Sequence, residues 1–332
     1  MTLRIALTGA GYIGKVHAMA ARNLGGRVAA VVSRPSDNRH AVAAARGAAE
    51  YDDIQAALEA GGFDAVVVCT PNYLHAPESI AALKAGLPVM VEKPMAMNAT
   101  EAGAMVEAAA RSGAALMVAH CWRFDPDVLW LKEQAGRLGR IVRTHGYGVH
   151  THWGPSGWFT EARFAGGGAM ADMGIHALDT ARFLLGDPNP VSVYARIGTN
   201  YTPYDVDDTG LILVNWDNGT TSLIESGWWQ PHSDGPEAAT RLYGTEGYGS
   251  LFPTKLELPN RAEEKLDVID PGFPFPRPEH CPQSMYDDQM RYFFDCVTGG
   301  RAPVPGGAEG LTNMRVVDAA YASARSGQVV DI

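Results

Sequence analysis

The sequence predicts a two-part α/β protein: a doubly wound parallel sheet, then a domain with a mixed or antiparallel sheet and helices on one face. Three observations predict it. A glycine-rich turn, Gly9-Ala10-Gly11-Tyr12-Ile13-Gly14, joins an apolar strand to an alanine-rich helix. Short apolar runs then alternate with helical patterns as far as about residue 122, the pattern of a parallel sheet wound on both faces. Beyond that point strand-like runs follow one another through hairpin signals such as Asp217-Asn218-Gly219 and Gly244-Thr245-Glu246-Gly247. We set the domain division at 1–122 and 123–332.

In chain order, Arg4 to Thr8 is the first strand and Lys15 to Leu24 the first helix. G-x-G-x-x-G between a strand and a helix is a dinucleotide-binding turn. The first glycine permits the tight turn, the second lets the backbone approach a pyrophosphate, and the third lets helix and strand pack closely. The helix N-terminus then offers N–H groups to phosphate. Gly9, Gly11, Tyr12, Ile13 and Gly14 are therefore candidate cofactor residues.

The second strand, Arg27 to Val32, ends in Ser33-Arg34-Pro35-Ser36-Asp37-Asn38-Arg39. About twenty residues past the glycines, NAD sites place a carboxylate on the ribose 2′-OH. Ser33 stands there instead. It can hydrogen-bond a 2′-phosphate, and Arg34 can neutralise that phosphate and stack on adenine. NADP is thus favoured over NAD. The alternative is that Arg34 and Arg39 are solvated loop charges and Asp37 takes the ribose.

Asp64 to Cys69 is a third strand, closed by Thr70-Pro71-Asn72-Tyr73-Leu74-His75, and Pro77 to Ala85 is a helix. Leu87 to Val91 is an apolar run that stops at Glu92-Lys93-Pro94, presenting a lysine at a strand's carboxyl end, where ligands bind in open parallel sheets. Thr100 to Gly113 is a helix with Thr100 as N-cap, and Ala114 to Ala119 one more strand.

In the second part, helices are expected at Pro126–Ala135, Ala169–Leu185, Met285–Val297 and Glu309–Ser326. Strands are expected at Ile141–Thr151, Val191–Ile197, Gly210–Asn215, Thr220–Ser226, Thr240–Tyr243, Gly249–Phe252 and Lys255–Leu258. Asp270 to Pro282 is Pro-rich loop.

A net charge of −10 argues against a nucleic-acid backbone or an anionic membrane surface as main partner. Cys69, Cys121, Cys281 and Cys296 form no C-x-x-C pair and no zinc spacing, so they read as reduced thiols in a cytoplasmic protein. The N-terminus has no signal-peptide pattern, and no apolar run is long enough to span a bilayer.

The second chemistry-bearing stretch is Gly166-Gly167-Gly168-Ala169-Met170-Ala171-Asp172-Met173-Gly174-Ile175-His176-Ala177-Leu178-Asp179. On a helix Asp172 and His176 share a face, as do His176 and Asp179, and Gly174 would leave a gap for a ligand. A histidine flanked by carboxylates can shuttle a proton. The other reading is a packed histidine with capping or solvated aspartates. No third strong ligand is spaced for a metal, so none is expected.

These motifs, in order, resemble the Gfo/Idh/MocA oxidoreductases. The resemblance rests on Gly9-x-Gly11-x-x-Gly14, Thr70-Pro71-Asn72 with His75, Glu92-Lys93-Pro94, Arg123-Phe124-x-Pro126, the stretch through Asp172, Gly174, His176 and Asp179, and Asp318-Ala319-Ala320-Tyr321-x-Ser323-x-x-Ser326-Gly327. It spans essentially the whole chain. It implies a Rossmann domain followed by an α/β domain built on an open, largely antiparallel sheet, and a hydride exchanged between NAD or NADP and a hydroxyl or carbonyl carbon of a sugar, sugar derivative or cyclitol. The family's catalytic lysine, aspartate and histidine fall on Lys93, Asp172 and His176, and Thr70, Pro71, Asn72, His75, Glu92 and Lys93 join the cofactor residues.

Lys93, Arg123, Trp153, Arg163, Asp172, His176 and Tyr286 are candidate substrate contacts, with Trp158 beside them. Strand alternation would point His150 and His152 one way, Thr151 and Trp153 the other. Trp228-Trp229 could belong to an interface through the open sheet, which needs covering, so a homodimer or homotetramer is expected. Two other functions stay open at this stage. One is a redox-assisted lyase or hydrolase that recycles its cofactor. The other is a non-catalytic nucleotide-bound sensor.

Overall fold

The computed structural model describes residues 3–231 and 237–332. The chain divides into two compact units, Met1–Cys121 with Cys281–Met314, and Trp122–His280 with Arg315–Ile332. The sequence-based division kept everything after residue 122 together. The structure instead returns Cys281–Met314 to the first unit.

The first unit holds β1 (Arg4–Thr8), α1 (Tyr12–Asn23), β2 (Arg27–Val32), α2 (Asp37–Arg46), β3 (Ala49–Tyr51), α3 (Ile54–Ala60), β4 (Ala65–Val68), α4 (Asn72–Lys84), β5 (Val89–Val91), α5 (Ala99–Ser112) and β6 (Leu116–Val118). Its six strands are all parallel, in the order β3-β2-β1-β4-β5-β6. This is the doubly wound order whose reversal, between β1 and β4, opens a crevice at the strands' carboxyl ends. β4 and β5 are buried throughout, as strands covered on both faces must be. Each valine so buried contributes roughly 1.5–3 kcal/mol.

α9 (Gln283–Gly299) packs on α1 within this unit. Gly26 makes room for it, since a Cβ there would stand 2.8 Å from the Phe294 ring. The amphipathic face of α9, with Met285, Met290 and Phe293 buried, is the physical reason the segment joins the first unit.

Two elements of this unit differ from expectation in ways that bear on the site. α4 starts at Asn72 rather than Pro77, which puts His75 and Glu78 on one buried face. α5 is capped by Asn98, not Thr100. Asn98 Oδ1 accepts from the Glu101 N–H at 2.9 Å and Glu101 reaches back to the Met97 N–H, a reciprocal cap. α2, α3 and β3 were not anticipated.

The second unit holds α6 (Pro126–Gln134), β7 (Ile141–His150), α7 (Ala162–Ala165), α8 (Ile175–Leu184), β8 (Pro190–Gly198), β9 (Thr209–Trp216), β10 (Thr221–Trp228), β11 (Ala238–Gly244), β12 (Tyr248–Ser250), β13 (Lys255–Asn260), β14 (Lys265–Ile269) and β15 (Val330–Asp331). α10 spans Gly307–Ser326. The nine-stranded sheet runs β14-β13-β12-β11-β7-β10-β9-β8-β15, antiparallel except where β7 pairs with β10. β14 and β15 were missed: one is a charged, exposed edge and the other two residues long.

α8 packs on β7, β10 and β11. Along β9 buried Ile212 and Val214 alternate with exposed Leu211 and Leu213, so the opposite face is open and partly apolar. Among the described residues no helix is long and apolar enough to cross a membrane, and no two cysteines form a disulfide.

Candidate active site

In the first unit the glycine turn lies at the end of β1, next to the end of β4. Gly9 has φ +84°, and a Cβ on it would strike the Cys69 carbonyl. A Cβ on Gly14 would strike the Gly9 carbonyl. Both glycines are therefore required by packing. Gly11 is different: a Cβ there would meet nothing within 4 Å, so its open side is available to a ligand. No side chain caps the N-terminus of α1, and its first turn carries no acid. Tyr12 is 79% exposed. Unclaimed N–H groups, a positive dipole end and open space fit a pyrophosphate.

The two arginines after β2 are not equivalent. Arg39 is a brace: it donates to the Ser33 carbonyl at 2.7 Å, to Glu50 at 2.9 Å and to Asp52 at 2.5 Å. Arg34 is exposed, and its side chain has no hydrogen-bond or ion-pair partner among the described residues. Ser33 Oγ donates to the Arg34 carbonyl at 2.9 Å. Asp37 opens α2, whose cap is Ser36.

Lys93 follows β5, is half-buried, and joins Pro94 through a cis peptide. Glu92 Oε2 accepts its backbone N–H at 3.1 Å, and Glu92 Oε1 lies 2.7 Å from His17 Nε2 on α1. Burial pushes the Glu92 carboxyl up, but the His17 bond and the Lys93 charge outweigh it and hold it below its usual value. Tyr286 of α9 presents a T-shaped contact to the His17 ring, centroids 5.9 Å apart.

Buried His75 ties two loops together. Its Nδ1 lies 2.7 Å from the Pro94 carbonyl and its Nε2 2.7 Å from the Thr70 carbonyl. Burial lowers its proton affinity, against the two carbonyls, which favour the charged ring. Beside it, Glu78 Oε2 accepts from Thr8 Oγ1 at 2.7 Å and Thr70 Oγ1 at 2.8 Å, joining the ends of β1 and β4. Burial raises the Glu78 pKa to about 7. His75 and Glu92, expected among the cofactor contacts, thus have their polar atoms committed to holding the strand ends.

In the second unit Asp172 stands in a π-helical turn, Met170–Gly174, that leads directly into α8. A regular helix was expected here. The wider turn still leaves Asp172 and His176 on one side, and such turns recur at functional sites. Asp172 Oδ2 accepts from Trp228 Nε1 at 3.1 Å. Trp228 is fully buried among Ala169, Met173 and Val206, so it supports Asp172 from the core and does not serve an interface. Gly174 leaves no gap for a ligand: a Cβ there would meet Met170 Sδ at 2.6 Å and Ser226 Cβ at 3.0 Å. Half-buried His176 lines a small recess with Trp122, Tyr147, Thr180 and Phe252.

The turn is anchored from Asp207, which sequence reasoning missed. Its carboxylate accepts from the N–H groups of Gly168 at 2.7 Å and Met170 at 2.8 Å, and from Tyr321 Oη at 2.7 Å. A Cβ on Gly168 would strike the Asp207 carbonyl. The signal was the uncapped start of the expected helix, whose bare N–H groups need an acceptor.

Residues 3–120 match the description "Oxidoreductase family, NAD-binding Rossmann fold" and residues 133–249 the "GFO/IDH/MocA C-terminal domain". A D-glucoside 3-dehydrogenase of Escherichia coli (strain K12) is 30% identical over 99% of this chain and 97% of its own. The chain belongs to the Gfo/Idh/MocA oxidoreductase family. A scyllo-inositol 2-dehydrogenase (NAD(+)) of Bacillus subtilis (strain 168) is 28% identical, covering 99% of this chain and 96% of its own. A structure of levoglucosan dehydrogenase in complex with NADH and L-sorbose has the same fold, with a TM-score of 0.89 and 24% identity over 100% of this chain and 99% of that one.

Other residues expected at the site lie as follows. Arg123 is fully committed: it grips Asp179 through Nε and Nη2, both at 2.8 Å, and Asp187 at 2.7 and 3.0 Å. It is a buried clamp, its guanidinium taken up by both carboxylates, which corrects its assignment to substrate. Burial pulls the guanidinium's pKa down, but the two carboxylates push it well above its usual value. β7 ends at His150, so alternation fails past it. His150 stacks on Trp153 at 3.5 Å, and Trp153 Nε1 donates to Glu237 at 2.7 Å. Trp158 stacks on Phe159, and exposed Arg163 pairs with Glu161 at 2.7 Å. Tyr286 is buried beside His17.

Proposed function

We propose that this enzyme is an NADP-preferring dehydrogenase or reductase acting on a hydroxyl or carbonyl carbon of a sugar, sugar derivative or cyclitol. The observation that supports this most is a pair of separately braced groups of the family's chemistry. The Lys93 backbone is held by Glu92 and His17, and Asp172 by Trp228 one helical turn before His176. Relatives named for a glucoside and an inositol support the substrate class.

The glycine turn and the N-terminus of α1 would hold the dinucleotide's phosphates, with Ser33 and Arg34 on the 2′-phosphate. The nicotinamide, when bound, accepts or returns the hydride. The chain supplies the rest. His176 takes the hydroxyl proton in oxidation and returns it in reduction. Lys93 stabilises the developing alkoxide by charge. Asp172 holds the substrate hydroxyl or orients His176. The partly apolar open face around Leu211 and Leu213 supports association of the sheet with a second copy. Cysteines that form no disulfide among the described residues support a cytoplasmic setting.

The test is a screen of sugars and cyclitols with both nicotinamides, reading reduced cofactor against product. Stoichiometric formation is expected. Turnover without net NAD(P)H would overturn the reading in favour of a recycling lyase. Unchanged turnover in Lys93→Ala and His176→Ala would overturn the residue roles.

A further inference from the structure

At the far end of α1 and β2 from the glycine turn lies a recess of about 330 Å³. Its lining includes small Ala18, Gly26 and Val28, and three arginines, Arg22, Arg27 and Arg46. We propose that it binds a small metabolite through a doubly charged phosphate group, in addition to the dinucleotide.

The charge pattern carries the proposal. The chain has 37 acidic against 27 basic residues, yet three guanidiniums share this hollow and no lining residue is acidic. Arg22 and Arg46 have no ion-pair partner among the described residues, and Arg27 uses one N–H, on the Gly47 carbonyl at 3.2 Å. Arg46 Nε is buried without a hydrogen-bond partner, a state that costs stability and that an acceptor would relieve. Arg22 and Arg46 each sit in the last turn of a helix, where a cation is favoured by the dipole. That accounts for each one singly. It does not account for Arg27, which starts a strand, or for all three lining one hollow. Planar guanidiniums match phosphate oxygens two at a time, and small lining side chains leave room for a compact body.

The site is distinct from the dinucleotide's. Arg27 begins β2 and Ser33 follows its end, so they are separated by roughly 20 Å of extended strand. The 2′-phosphate of a cofactor held at Ser33 does not reach it.

The experiment titrates inorganic phosphate into enzyme already saturated with NADP(H), whose 2′-phosphate occupies the Ser33 and Arg34 subsite, by calorimetry at constant ionic strength balanced with chloride. Saturable binding near one per chain is expected. It should weaken about tenfold or more in Arg22→Ala and in Arg46→Gln, and stay unchanged in Arg34→Ala. Melting temperature and NAD(H) affinity of each variant show that the fold is retained. Non-saturable binding, equal binding to the Arg22 and Arg46 variants, or loss in Arg34→Ala would each overturn the proposal. Because the dinucleotide is already bound, failure here leaves the substrate reading untouched.

Discussion

His17 and Glu92 lie 2.7 Å apart, and this bond fastens the helix of the glycine turn to the residue that precedes Lys93. The other Glu92 oxygen takes the Lys93 N–H. Glu92→Gln keeps the shape and removes the charge. A hydrogen bond to a charged group is worth about 1.5–3 kcal/mol, so kcat should fall about 10- to 100-fold. The dinucleotide Kd should change much less. Steady-state kinetics beside cofactor titration check this, and a loss that appears only in Kd would count against the role.

The Arg34 side chain faces solvent unpartnered among the described residues, while Arg39 is locked to Asp52 and Glu50. Arg34→Ala should therefore weaken NADP about tenfold or more and leave NAD nearly unchanged. Arg39→Ala should lower stability and affect both cofactors alike. Equal losses for NADP and NAD in Arg34→Ala would refute the 2′-phosphate assignment.

Arg123 and Asp179 form a buried bidentate pair, shared with Asp187. Removing one partner leaves the other charge uncompensated, which typically costs about 3–5 kcal/mol. Arg123→Ala should shift the urea midpoint accordingly. A loss below about 1 kcal/mol, the scale of an exposed pair, with reduced substrate affinity would return Arg123 to the substrate list.

The parallel sheet and the glycine turn were legible because strand burial and backbone sterics write themselves into local sequence. Ala65–Val68 and Val89–Val91 are short and wholly apolar, and polar punctuation follows each. Lys93, Asp172 and His176 were legible as motif residues. Their supports were not. His17, Glu78, Asp207 and Trp228 act on groups far along the chain, and spacing carries no trace of such partners. Arg123 misled for the same reason: its carboxylates are 56 and 64 residues away. Gly174 misled because a glycine reads alike whether it admits a ligand or, as here, a neighbouring strand.

Glu78 should make stability depend on pH in a direction unusual for a carboxylate. Its pKa rises from 4.5 to about 7 because burial penalises the charge more than the two threonine hydroxyls relieve it. The folded state therefore binds the proton more tightly than the unfolded chain. The contribution is fully present below about pH 4.5 and is lost as pH rises through about 7, a swing on the order of 3 kcal/mol. Glu92, held below its usual value, acts with the opposite sign, so the wild-type curve alone does not isolate Glu78. Glu78→Gln does: its amide oxygen can still accept from Thr8 and Thr70, and it has no proton to lose. Unfolding free energies of both proteins, measured from pH 5 to pH 8, should show the variant gaining on wild type as pH rises. A difference that stays flat over that range would mean that the carboxylate is stabilised where it stands.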